Sequence, residues 1–130
     1  MVNKVTLIGN LGRDPELFHT QSGQPVARLS IATNKVWTKN GERQRRTEWH
    51  RVVVWGLRAE RLTAQLHKGR LVYVEGRVCT RTFTNADEVE QMRTEIHSQR
   101  LMPLTSRTQR EAAYATAGAD GVRDGDDAPF

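Results

Sequence analysis

The nine residues from Thr47 to Trp55 (TEWHRVVVW) constrain this chain more than any other stretch. Valine and tryptophan favour strands, and successive side chains along a strand point to opposite faces. Trp49, Arg51, Val53 and Trp55 therefore share one face, and His50, Val52 and Val54 the other. The aliphatic set suits the interior of a narrow barrel. Arg51 between two tryptophans does not, because a buried unpaired charge is costly, so the tryptophan face is expected to point outward. A later run, Arg70 to Thr84 (RLVYVEGRVCTRTFT), repeats the arrangement, with Val72, Val74 and Val78 on one parity and Tyr73, Arg77, Arg81 and Phe83 on the other.

Around these two runs, strand-like segments alternate with turn signals. Val2 to Leu11 is rich in β-formers and closes on Gly9-Asn10-Leu11-Gly12, where the glycines mark a bend or bulge, since no helical pattern follows and Pro15 comes soon after. A short extended stretch spans Leu17 to Thr20 and turns at Ser22-Gly23, and Pro25 opens Val26 to Trp37. Asn40-Gly41 is a hairpin signal, although the flanking Lys39 and Arg43 to Arg46 point to a longer, mobile loop. One helix is expected from Leu57 to His67, where Ala59, Leu62 and Leu66 form an apolar stripe and Lys68-Gly69 ends it. A last strand runs from about Gln91 to Leu104 after a polar turn at Asn85 to Glu90. Three principal strands, one helix and two strands is the order of the OB-fold, a five-stranded Greek-key barrel with its helix between the third and fourth strands.

The expected organisation is an OB domain over residues 1–104, a flexible linker over 105–123 and a short disordered acidic tail ending in a tip at 124–130. Past Pro103 the only large apolar residue before the tip is Tyr114, apart from Leu104 itself, so this segment lacks the surface to order itself. Residues 1–110 carry 19 Lys or Arg against 10 Asp or Glu, net +9, whereas 111–130 carry Arg123 against five acids, net −4. That split points to a polyanion for the body and something basic for the tail; a solvated basic surface with a frayed end would carry the same charges. A lone Cys79 supports neither a disulfide framework nor a zinc cluster. No apolar run approaches the roughly 20 residues of a membrane span, and no long signal-peptide core is present, so a cytoplasmic location is expected.

Exposed aromatic rings interleaved with arginines match single-stranded nucleic acid, whose unpaired bases offer π-faces and whose backbone offers a continuous line of charge. Trp37, beside Lys35, Lys39, Arg43, Arg45 and Arg46, extends the surface that carries Arg51, Arg77 and Arg81. Any one tryptophan taken alone reads more readily as a core or interface residue; pairing with arginine at fixed parity favours the outer face. Tyr73 and Phe83 also suit packing at a barrel rim. His19, His50, His67 and His97 lie on separate elements without metal-ligand spacing. His50, inward by parity, reads as a hydrogen-bonded structural histidine. No Ser/His/Asp order, phosphate loop or nucleophile elbow is present, so neither catalysis, cofactor nor metal is expected. An OB-fold primosomal or adaptor module with a protein ligand is the rival reading.

The stretches VNKVTLIGNLGRDPE, TEWHRVVVWG, the Lys68-Gly69 turn and VYVEGRVCTRTFT resemble the bacterial single-stranded DNA-binding proteins, and DDAPF at the end resembles their acidic tip. The resemblance implies a homotetrameric OB-fold that wraps single-stranded DNA around its outside. It also implies that the tip, here Asp126, Asp127, Pro129 and Phe130, recruits replication, recombination and repair proteins. By matching motif, it assigns base stacking to Trp37, Trp49, Trp55 and Phe83. It places His50 at a subunit interface, together with an edge strand around Met1 to Val5 that includes Val2 and Lys4. Relative to the family pattern, the linker is short, and Ala128 stands where a larger apolar residue is usual.

Overall fold

The computed structural model describes residues 1–105; apart from Thr105, the expected linker and tip lie outside the described residues. The elements are β1 (Val5–Leu11), β2 (Glu16–His19), β3 (Pro25–Lys39), β4 (Glu42–Trp55), α1 (Leu57–Gln65), β5 (Leu71–Thr84) and β6 (Glu90–Leu104). The sheet runs β1-β5-β6-β4-β3-β2, and β1 also pairs with β3 at Asn10↔Ala32 and Leu11↔Ile31, which closes five strands into a barrel. The parallel pairing of β4 with β6 at Val52↔Ile96 and Val53↔His97 completes the OB topology. The stretch near Leu17 becomes the edge strand β2, paired only with β3.

Closure requires β1 and β3 to approach at Gly9, where any Cβ would collide with the Ala32 carbonyl and with Ile31 Cγ2. Inside, Ala27, Leu29, Ile31, Val52, Val54, Val72 and Val74 are essentially sealed from solvent, small and branched side chains that fill a narrow barrel. α1 lies against the barrel through Ala59, and Leu66 is buried immediately after it. The helix ends at Gln65, short of the expected His67, because Leu66 turns extended to reach the core; its N–H donates to the Leu62 carbonyl. Gly69, with φ +92, instead serves the turn into β5.

Where strands leave the barrel, the structure departs from the expected pattern. Asn40 and Gly41, at φ 51 and 79, form a two-residue turn between the paired Lys39 and Glu42. Both central residues have the positive φ of a turn whose twist matches the strands, so the expected mobile loop is a regular two-stranded arm. The first strand starts at Val5, not Val2; Asn3 instead bonds the backbone of Val78 at 2.9 Å in both directions. Val78 is exposed despite its inward parity. β1 pairs no further along β5 than Gly76, beside the bulge between Glu75/Gly76, so beyond it the β5–β6 hairpin is a second arm outside the barrel. Val53 is buried despite its outward parity, flanked by the longer Arg28 and His97 on the neighbouring strands.

Candidate nucleic-acid interface

Register across the outer face turns parity into a surface. Trp49 and Arg51 on the β3–β4 arm face Arg93 and Phe83 on the β5–β6 arm across a cleft of about 690 Å³. Trp49 is 61% exposed, Trp55 42% and Trp37 38%, so none of the three rings is part of the core. The Arg93 guanidinium lies 4.7 Å from the centre of the Phe83 ring, a cation–π contact that leaves the opposite ring face for stacking. Farther along, Phe18, Val26 and Trp55 lie in one row across β2, β3 and β4. Arg28 sits 4.7 Å over Phe18, and the His97 ring is 6.2 Å from that of Trp55.

Residues 2–104 match the profile of the single-strand binding protein family. The chain belongs to that family. Among solved structures, it is 34% identical to the Plasmodium falciparum SSB in its complex with ssDNA, covering 80% of this chain and 96% of that one at a TM-score of 0.73. It is 29% identical to a deletion mutant of the single-stranded DNA binding protein from Thermus aquaticus, covering 83% of this chain and 53% of that one at a TM-score of 0.72.

The two arms divide the expected site residues into groups. Because Trp37 pairs with Gln44 and Trp49 with Ala32, the two indoles lie on opposite faces of the β3–β4 arm. Lys35, Lys39 and Arg46 share the face of Trp37, and the Lys35 ammonium lies 5.9 Å from the centre of its ring. Arg43 and Arg45 share the face of Trp49. Arg77 and Arg81 face outward on the second arm, Arg81 opposite Arg93. Tyr73 lies apart from the cleft, paired with Ile8 and Met102. Its hydroxyl donates to the Glu75 carboxylate, which holds the phenol above its ordinary pKa. His50 is half-buried, with its Nε2 2.8 Å from Thr33 Oγ1, and it also lines the cleft.

Arg13, Arg28 and Arg93 line the cleft but were not among the expected contacts. The signal for Arg93 was the alternation of β6, readable only once its register with Phe83 is known. The crowding has an electrostatic consequence: burial, then the nearby Arg93 charge, pulls the Arg51 pKa below its ordinary value. Like charges held this close favour an incoming anion. Among the described residues, no group of three potential metal ligands occurs.

Gly12 makes the Trp49 platform. A Cβ there would overlap Cζ3 of the indole, while the Gly12 N–H donates to the Ser30 carbonyl at 2.9 Å. Gly12→Ala is expected to displace the ring and weaken oligonucleotide binding several-fold, up to the roughly 1–3 kcal/mol of a lost stack. Fluorescence titration checks this; unchanged affinity would mean that the indole position is immaterial.

Proposed function

We propose that this protein binds single-stranded DNA without regard to sequence, by stacking bases on Trp49, Phe83 and Trp55 and neutralising phosphates with the arginines between them. The carrying observation is that rings and guanidinium groups from two separate arms face one open cleft. Stacking is indifferent to base identity because every base has a π-face. Trp37, Lys35, Lys39 and Arg46 form a second track on the other face of the first arm. A strand engaging both faces must round the hairpin tip at Asn40-Gly41.

Titration with thymidine oligonucleotides tests this reading. Tryptophan emission is expected to fall, and log affinity to decline with log salt by about 0.7 per neutralised phosphate. Trp37→Ala is expected to weaken a long oligonucleotide and spare one too short to round the tip. Unquenched emission or affinity indifferent to salt would overturn the proposal.

The finer roles also belong to this proposal. Self-association into a homotetramer is supported by the exposed Val2 end and by Ile8 and Met102, which flank Tyr73 as an apolar row away from the cleft; Lys4 and His50 are the further interface candidates. Recruitment of replication, recombination and repair proteins rests on Asp126, Asp127, Pro129 and Phe130. There an aromatic side chain and a proline follow two acidic residues.

A further inference from the structure

A carboxylate stands on the face proposed for a polyanion. Glu95 of β6 is 4% exposed, the one buried acid among the described residues, and by alternation it faces the same side as Arg93 and His97. Burying a carboxylate is unfavourable unless it is paired, and phosphates nearby add repulsion, so its position needs a compensating role. Arg81 supplies the pair. Nε of Arg81 lies 3.3 Å from Oε1, and Nη2 donates to Oε2 at 3.5 Å. On the other flank, His97 Nε2 is 3.7 Å from Oε1.

The orientation of this contact matters more than its charge. A guanidinium carries five N–H donors in a rigid planar fork. Glu95 lies along the edge formed by Nε and Nη2. The remaining donors, on Nη1 and the far side of Nη2, have no partner among the described residues, and the Arg81 side chain is 52% exposed. That second edge is the one a phosphate takes with two parallel hydrogen bonds. An arginine held in place before its ligand arrives loses less freedom on binding.

We infer that Glu95 is a positioning residue for phosphate binding, gripping one edge of Arg81 so that its other edge is presented to the DNA backbone. This rests on the single-stranded DNA reading above. A carboxylate that merely competed with phosphate for Arg81 would have the opposite effect on what Arg81 contributes.

The deciding experiment measures the loss caused by Arg81→Ala in the native background and in Glu95→Gln, using oligo-dT at one salt concentration. Losing a charged hydrogen-bonding partner is expected to cost about tenfold in the native background. In the Glu95→Gln background, where Arg81 is already loosened, the loss is expected to be markedly smaller. Equal losses would overturn the inference, and so would a larger loss in Glu95→Gln, which would make Glu95 a competitor. A second measurement needs no variant: the Arg81 Nη2–H resonance is expected to be protected from exchange in the free protein and to stay protected after oligo-dT is added. Collapse of that protection on binding would mean that phosphate displaces Glu95, overturning the role. If the unaltered protein fails to bind oligo-dT, the function itself is wrong, whereas intact binding without coupling removes only the positioning role.

Discussion

Replacing Trp49 and Phe83 together by alanine is expected to weaken binding to a labelled thymidine oligonucleotide by roughly 2–6 kcal/mol, taking about 1–3 kcal/mol for each stacking ring. The rings sit on different arms, β4 and β5, and line the same cleft, so the figure of roughly 2–6 kcal/mol takes the two losses as independent, and coupling through one bound strand would move the sum. Trp49 is 61% exposed, so its removal takes little from the core, and the unfolding midpoint should move only slightly. Phe83 also supports Arg93 at 4.7 Å, so its loss releases a cation as well as a ring. Anisotropy of the labelled oligonucleotide, which does not depend on tryptophan emission, checks the result. A loss below about threefold, under the cost of a single stack, would remove this cleft as the stacking surface.

The largest effect on stability is expected from Leu29→Ala. Leu29 is 1% exposed in the first third of β3, opposite Val52 and within the sealed interior. Truncating a buried leucine removes apolar contact and leaves a cavity that a closed barrel has little freedom to collapse, costing about 2–5 kcal/mol. Against a total of about 5–15 kcal/mol for a domain of this kind, that is a large share. Urea unfolding measures it; a cost under about 1 kcal/mol would mean that the interior is not packed around Leu29 as described. Oligonucleotide affinity of the folded fraction should change far less than stability, because the Leu29 side chain is sealed in the interior, although its neighbours Arg28 and Ser30 line the cleft.

Alternation along single strands made much of this molecule readable. Trp49, Arg51 and Trp55 face outward and Val52 and Val54 inward, as the order of residues in TEWHRVVVW requires. Glycine and asparagine marked the turns, and the apolar stripe placed the helix to within two residues of its end, although Gly69 belongs to the turn into β5 rather than to the helix cap. These are local properties: a strand's parity and a turn's dihedral angles depend on residues next to one another.

Relations between strands were not legible in that way. Parity says that Trp37 and Trp49 each lie on some face, but only the pairing Trp37↔Gln44 and Ala32↔Trp49 sets them on opposite sides of one arm. Val78 has inward parity and no interior to enter, because β1 pairs no further than Gly76. Arg13, Arg28 and Arg93 reach the cleft from three different segments, and Glu95 meets Arg81 across a hairpin. Residue order thus settled which side chains alternate and where the chain turns, since neighbours along the backbone impose both. Cross-strand hydrogen bonds, barrel closure and the bulge beside Gly76 settled which of those side chains meet, because register is a long-range property that no short stretch contains.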